Sequence, residues 1–77
     1  MSYFRRGDLV ELRYDADRGF RHLFEVSSVS SDGTLWLIQR GDAGLSNVRC
    51  RVSADEADTA VMSARPETVA TYRPAAM

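Results

Sequence analysis

Lysine is absent from this 77-residue chain, and cysteine, histidine and tryptophan each occur only once. A single cysteine, Cys50, excludes an internal disulfide, which fits a reducing compartment. One cysteine and one histidine, His22, also fall short of the four ligands that a structural zinc site usually takes. Neither residue stands in a recognisable catalytic motif. We therefore expect no metal, no cofactor and no enzymatic activity.

Long apolar runs are also missing. No stretch approaches the roughly 20 residues that a membrane-spanning helix needs. The first residues, MSYFRR, lack the apolar core of a secretion signal. A soluble, cytoplasmic protein without a membrane partner is the expectation.

Neither sign of charge dominates, since ten arginines stand against eleven acidic residues, for a net charge of −1. Proteins that bind nucleic acid without sequence preference usually carry a large positive surface. The balance therefore disfavours that class, although a local arginine patch is compatible with it.

The length allows one domain, residues 1–77, with 1–7 as a lead-in and 74–77 as a flexible tail. A chain of this size buries only about 60–65% of its unfolded surface, so its core is small. A deep, water-excluded active site is hard to build in such a body. The hydrophobic fraction of 44% is nevertheless typical of a folded domain.

The clearest structural pattern is a β-hairpin from Phe20 to Arg40, with its turn at 30–34. In that turn Ser and Asp32 stabilise a type I turn through their side chains, and Gly33 can adopt a positive φ. A simple hairpin pairs Val29 with Leu35, Val26 with Ile38, and Phe24 with Arg40. In that register Trp36 shares a face with Val26, and Leu35 and Leu37 lie on the other. The apolar pattern changes phase between Val26 and Val29, which predicts a bulge near 27–28 that brings both valines inward. Apolar residues on both faces indicate a bent hairpin inside a small barrel.

Other segments are shorter. Residues 8–14 predict a strand with Val10, Leu12 and Tyr14 inward, followed by a loop at 15–19. Residues 46–52 alternate as a half-buried strand with Cys50 and Val52 inward, after a loop at 41–44.

Residues 54–64 fit either a helix, because SADE resembles a capping box, or a short strand. Residues 65–69 predict a single helical turn beginning at Pro66, and 70–73 a last short strand.

The order of these signals resembles the SH3-like small barrels of bacteria and phages. The matching segments are RGDLVEL (6–12), a loop ending at Gly19, FEV (24–26), GTLWL (33–37) and RPETV (65–69). The resemblance implies an all-β, SH3-like barrel of five to six antiparallel strands, with one short helical turn near the C-terminus.

Arginines and aromatic residues in the lead-in, the first loop and the hairpin suggest a binding rim. Such a rim would grip carboxylate or phosphate and stack on rings. The alternative is that these arginines are solvated and paired with nearby acids such as Asp15 and Glu25. Trp36 is left open as either a core anchor or an exposed platform. The candidate partner-binding residues are Arg5, Arg6, Tyr14, Arg21, His22, Trp36 and Arg40.

These features predict a non-enzymatic binding module for a protein partner, which includes a second copy of the chain. A phage or mobile-element accessory role follows by analogy with the resembling barrels. The alternative is a small barrel that binds nucleic acid through the same arginine and aromatic rim.

Overall fold

A computed structural model describes residues 4–41 and 44–72 of the chain. Within that part, all strands join one antiparallel sheet in the order β4-β3-β2-β1-β5, and the sheet does not close. The domain is therefore small and largely β, with short helices. The elements are β1 (Leu9–Leu12), α1 (Arg13–Asp17), β2 (Phe24–Val29), β3 (Leu35–Gly41), β4 (Gly44–Val52), α2 (Ala54–Ala60), β5 (Val61–Ser63) and α3 (Pro66–Tyr72).

The predicted hairpin is confirmed in β2 and β3. Ser30 N–H donates to the Thr34 carbonyl at 2.9 Å, and Gly33 N–H donates to the Ser30 carbonyl at 2.9 Å. The Asp32 carboxylate accepts a further bond from Thr34 N–H at 2.9 Å. Gly33 has a φ of +94°, a conformation that side-chain-bearing residues rarely adopt. The turn therefore uses Asp and Gly in the roles that the sequence predicts.

A β-bulge between Val26 and Ser28 sets the register of this hairpin. Val29 pairs with Leu35 as predicted, and the bulge lies where the apolar pattern changes phase. Beyond the bulge, the predicted pairings are wrong by one residue, because the bulge inserts an extra residue in β2. Val26 pairs with Leu37 instead of Ile38, and Phe24 pairs with Gln39 instead of Arg40.

The bulge decides which side of the hairpin is buried. Paired residues of antiparallel strands share a face, so Val26 and Leu37 lie together and are 0% and 1% exposed. Trp36 pairs with Ser28 on the opposite face, which corrects the prediction that it shares a face with Val26. Val29 shares the face of Leu35 but remains 38% exposed near the hairpin tip, so only one of the two valines is buried.

The core collects apolar side chains from the sheet and from α2. Phe4, Leu12, Cys50 and Ala60 are partly buried and pack against it. The Phe4 contact and the Gly7 N–H bond to the Val26 carbonyl at 2.8 Å join the lead-in to the sheet. The predicted tail, 74–77, lies outside the described residues. The core consists of Val10, Phe24, Val26, Leu35, Leu37, Val52, Ala57 and Val61.

The first strand is shorter than predicted. β1 ends at Leu12, and residues 13–17 form α1 instead of continuing the strand. The last β1 pairing joins Leu12 to Val61, and Arg13 has no strand partner. Gly19, at a φ of +85°, closes the turn by donating to the Ala16 carbonyl at 3.0 Å. Tyr14, predicted to face inward, is therefore 67% exposed.

The ambiguous segment 54–64 contains both predicted structures, since α2 is followed directly by β5. The Ser53 carbonyl accepts the N–H groups of Glu56 and Ala57 at 3.0 Å. The Ser53 hydroxyl contacts the Glu56 carboxylate at 3.0 Å and makes no bond to the backbone, so the capping box forms only in part.

The helical content is larger than predicted. α3 begins at Pro66, as expected, but extends to Tyr72. The strand predicted at 70–73 is therefore wrong for residues 70–72, and Arg73 lies outside the described residues. Within the described residues, three short helices replace the single helical turn, and the strands number five.

A buried ion pair joins β1 to the junction of β5 and α3. Glu11 is 0% exposed, although the alternation of β1 predicts it on the outer side. Its carboxylate accepts bonds from Arg65 Nε at 3.0 Å, Arg65 Nη2 at 2.8 Å and Arg65 backbone N–H at 2.9 Å. The same guanidinium donates to the Phe20 carbonyl at 3.2 Å. One arginine thus connects three segments of the chain.

The environment of Glu11 favours its charged form. Burial alone would raise the pKa of this carboxyl, but the bonds from Arg65 outweigh burial and lower the pKa. The Thr68 hydroxyl also helps to lower the pKa of Glu11. Its buried oxygen nevertheless makes no hydrogen bond of normal geometry within the described residues. Glu11 therefore stays ionised in the folded protein.

We expect Glu11→Gln to lower the free energy of unfolding by about 1.5–3 kcal/mol at neutral pH, because it removes the charged partner of Arg65, whose side chain is 30% exposed and stays partly hydrated. A carboxyl with a lowered pKa stabilises the fold above its unfolded pKa and loses that contribution as pH falls through the folded value. The difference in free energy of unfolding between wild type and Glu11→Gln should therefore narrow as the pH falls below 4.5, the ordinary pKa of a glutamate. Urea denaturation from neutral pH to about pH 3 measures it. Glu56→Gln, at an exposed position of α2, is the control. A difference in the free energy of unfolding that is constant with pH would contradict this account.

Gly33→Ala should lower the stability of the protein more than Gly19→Ala does. Both substitutions place a side chain at positive φ, which costs about 1–3 kcal/mol. An added Cβ at Gly33 would also lie 3.0 Å from Ala54 Cβ, whereas Gly19 has no atom within 4 Å. Thermal unfolding of both variants and of Gly33→Ala/Ala54→Gly checks this. Equal losses in the two single variants, or no recovery in the double variant, would argue against the Ala54 contact.

Candidate partner-binding surface

The outward side of β2, β3 and β4 carries an aromatic residue among charged ones. Strand pairing aligns Ser28, Trp36 and Arg51 in one row, and Glu25, Ile38 and Arg49 in the next. Arg40 joins this side because its guanidinium donates to the Glu25 carboxylate. We call these side chains the Trp36 face: Glu25, Ser28, Trp36, Ile38, Arg40, Arg49 and Arg51.

Trp36 is exposed yet held in position. Its side chain is 40% exposed, and its indole N–H donates to the Ser30 hydroxyl at 2.9 Å. The Arg51 guanidinium carbon lies 5.8 Å from the indole ring centre, within the range of a cation–π contact. Ser27, in the bulge, donates to the Trp36 carbonyl at 3.0 Å. The open question of whether Trp36 lies in the core is therefore answered: the ring is exposed on the surface.

The Trp36 face has arginines in excess of its acids. Arg40 is paired with Glu25, which supports the paired-arginine alternative at that position. Arg49 and Arg51 are exposed, and neither has an ion pair within residues 4–41 and 44–72. The pKa of Asp32 is lowered chiefly by bonds from Thr34, with a smaller electrostatic contribution from Arg51. Two cationic groups on β4 are thus available to an external anion.

The remaining predicted residues do not gather around Trp36. Tyr14 lies under Arg18, whose guanidinium carbon is 4.6 Å from the ring centre. His22 stacks on Phe20 at 5.4 Å and contacts the Asp15 carboxylate at 3.3 Å.

The lead-in and loop arginines are separate as well. Arg5, Arg6 and Arg21 are exposed. Among the described residues, no hydrogen bond, ion pair or ring contact joins any of them to Trp36. Of the predicted set, only Trp36 and Arg40 lie on the same face.

Arg49 and Arg51 were missing from the predicted site. The alternation of residues 46–52 places both on the outer side of their strand, which was the available signal. Their relation to Trp36 depends on the pairing of β3 with β4, where Trp36 aligns with Arg51 and Ile38 with Arg49. Sequence pattern does not specify that register.

A groove of about 400 Å³ lies between the end of β4 and the two helices α1 and α2. Its apolar lining comes from Leu12, Cys50, Val52 and Ala60, and its more polar lining from Arg13, Tyr14, Arg51, Glu56 and Thr59. We call this the β4 groove. A second hollow of about 380 Å³ lies beside β5, lined by residues that include Phe4, Asp8, Arg13 and Met62.

Cys50 in the β4 groove is a poor nucleophile. Burial raises the pKa of its thiol, and the nearby negative charge of Asp15 raises it further. A protonated thiol reacts slowly, because the thiolate is the reactive form. The residue therefore serves as part of the apolar lining.

Among the described residues, no group of three or more His, Cys, Asp or Glu side chains could hold a metal ion. No helix in that part of the chain is long and apolar enough to cross a membrane.

No family model, curated protein or solved structure matches this chain. Its function must therefore be argued from the Trp36 face and the β4 groove.

The fluorescence of Trp36, the only tryptophan, should report its surroundings directly. Iodide should quench it more strongly than caesium, because Arg51 concentrates anions beside the exposed ring. Arg51→Gln should reduce this preference, and Arg21→Gln, in a separate exposed arginine, should not. Stern–Volmer titrations at matched ionic strength measure both. Resistance to every quencher would place Trp36 in the interior and contradict the assignment.

Proposed function

We propose that this protein is a non-enzymatic binding module that contacts a protein partner through the Trp36 face. The observation that carries the proposal is the fixed and exposed indole of Trp36, with Arg51 beside it. Tryptophan and arginine are the residue types that most often dominate the energy of protein interfaces.

The orientation of Trp36 favours recognition over a purely structural role. The bond from its N–H to Ser30 and the Arg51 contact hold the ring before any partner arrives. Less side-chain entropy is then lost on binding. An apolar ring with charged residues around it also matches the arrangement of an interface centre with a polar rim.

The strand order supports an SH3-like barrel as the finer description of the fold. The last strand, β5, returns to pair with β1. A short helix, α2, lies directly before it, whereas RPETV (65–69), the segment matched to the helical turn of such barrels, follows β5. In this description the barrel is open at the β4 groove, where α1 and α2 stand opposite β4.

A nucleic-acid-binding barrel is the second candidate, and the pair of Trp36 and Arg51 favours it. Aromatic rings beside arginines serve as stacking platforms for the bases of single strands. The Glu25 carboxylate on the same face and the net charge of −1 weigh against it. A nucleic-acid complex would weaken steeply with rising salt, whereas an apolar contact at Trp36 would not.

Trp36→Ala should weaken binding to a partner captured by the wild-type protein by about 2 kcal/mol or more, as at interface centres. Phe20→Ala is the matched control, since Phe20 is also an exposed aromatic residue, 48% accessible, but lies outside the Trp36 face. Calorimetry with the purified partner measures both affinities, and thermal unfolding verifies that both variants fold. Equal losses in the two variants, or no loss in Trp36→Ala, would overturn the proposal.

A further inference from the structure

The outer edge of β4 is a long unpaired strand edge. β4 spans nine residues and pairs with β3, and within the described residues no strand pairs with its other side. The opposite edge of the sheet, β5, has only three residues. Backbone N–H and C=O groups along a free edge can pair with an added strand.

The β4 groove lies beside the end of this strand, at residues 50–52. Cys50 and Val52 of β4 contribute to its apolar lining, together with Leu12 and Ala60. A strand added to β4 would direct alternate side chains to this inner side. Those positions of the added strand would therefore be apolar.

The outer side of the same strand carries charge of one sign. Arg49 and Arg51 stand two residues apart, and both are exposed. Alternate residues of a strand are about 6.6–6.8 Å apart on one face. Residues directly opposite them on an added strand would lie within reach of each guanidinium, and opposite charges stabilise such cross-strand pairs. The outer positions of the added strand would therefore be acidic.

The charges around the groove also favour an added strand that carries acidic residues. Arg13 and Arg51 lie on its rim, and Glu56 is the acidic residue among those that line it. The Glu56 carboxylate already accepts a bond from the Ser53 hydroxyl. The lining residues therefore carry two positive charges and one negative charge, and Asp15 is a further acid close to Cys50.

A second copy of the chain fits the end of this edge, residues 49–51, poorly. In a symmetric antiparallel pairing of two β4 strands centred on Cys50, Arg49 of each copy lies opposite Arg51 of the other. Centring the pairing on Arg49 places Arg49 opposite Arg49 of the other copy, and centring it on Arg51 places Arg51 opposite Arg51. Like charges directly opposite each other destabilise a sheet.

We propose that β4 binds an extended segment of a partner protein by strand addition, and that this segment alternates acidic and apolar residues. The acidic side chains contact Arg49 and Arg51 beside Trp36, and the apolar ones enter the β4 groove. The inference rests on the proposed function, because it names the kind of protein segment that the surface around Trp36 recognises.

The test uses the whole protein and synthetic peptides with blocked ends. The probe is TVEVEVT. Its controls are TVQVQVT, which lacks the charges, TEEVVVT, which keeps the composition but not the alternation, and a TVEVEVT peptide that is N-methylated on alternate amides facing β4. Trp36 fluorescence and the amide resonances of β4 report binding. We expect each control to bind about tenfold more weakly than the probe, or worse.

Variants of the protein test the charge contacts. Arg49→Gln/Arg51→Gln should remove the preference for TVEVEVT over TVQVQVT. Arg5→Gln/Arg6→Gln, the matched double change in two exposed arginines before β1, should retain it. Equal binding of TVEVEVT and TEEVVVT would mean general attraction of charge and would overturn strand addition.

The remaining outcomes separate this inference from the proposed function. No change in fluorescence or β4 resonances with TVEVEVT at about 1 mM would overturn strand addition, even if Trp36→Ala still abolishes capture of a partner. If TVEVEVT binds tightly but Trp36→Ala does not weaken binding of the captured partner, the proposed function would instead be overturned. A short oligothymidylate that binds where the peptides do not would replace both with the nucleic-acid candidate.

Discussion

The single extra residue at the β2 bulge is the constraint on which the surface of this protein depends. Side chains alternate along a strand, so a shift of one residue moves every later side chain to the other face. With the bulge between Val26 and Ser28, Leu35 and Leu37 enter the core and Trp36 lies outside. Without it, Val26 would share a face with Trp36, and the buried apolar residues of the two strands would not coincide. The identity of the interior and the exposure of the candidate site are thus consequences of one local irregularity.

The position and length of β1 are a second constraint, and β4 is one of the two edges of the sheet. β1 is paired on both sides, with β2 and with β5, and the Glu11–Arg65 ion pair joins it to the start of α3. Because β1 ends at Leu12, the chain turns into α1 and does not extend towards β4. The resulting gap is the β4 groove, with residues of α1 and α2 on its walls.

Local patterns predicted the parts of the fold that local chemistry decides. Asp32 and Gly33 identified the turn, the phase change identified the bulge, and Pro66 identified the start of α3. The pairings beyond the bulge could not be predicted, since they depend on how the two strands fit a shared core. Burial of Glu11 depends on Arg65, which is 54 residues distant in sequence, and the alternation of β1 predicted the opposite side. Of the residues predicted to bind a partner, Trp36 and Arg40 lie on one face of the sheet, and Arg49 and Arg51 join that face only through strand pairing.

In the proposed complex, a partner segment pairs with the outer edge of β4, beside Trp36. Hydrogen exchange of backbone amides, measured residue by residue with and without a captured partner, tests this most directly. The account predicts that alternate amides of β4, those directed away from β3, exchange quickly in the free protein and become protected in the complex. The amides of β5, at the opposite edge, should not change. Protection at β5 without protection at β4, or no change along β4, would contradict it.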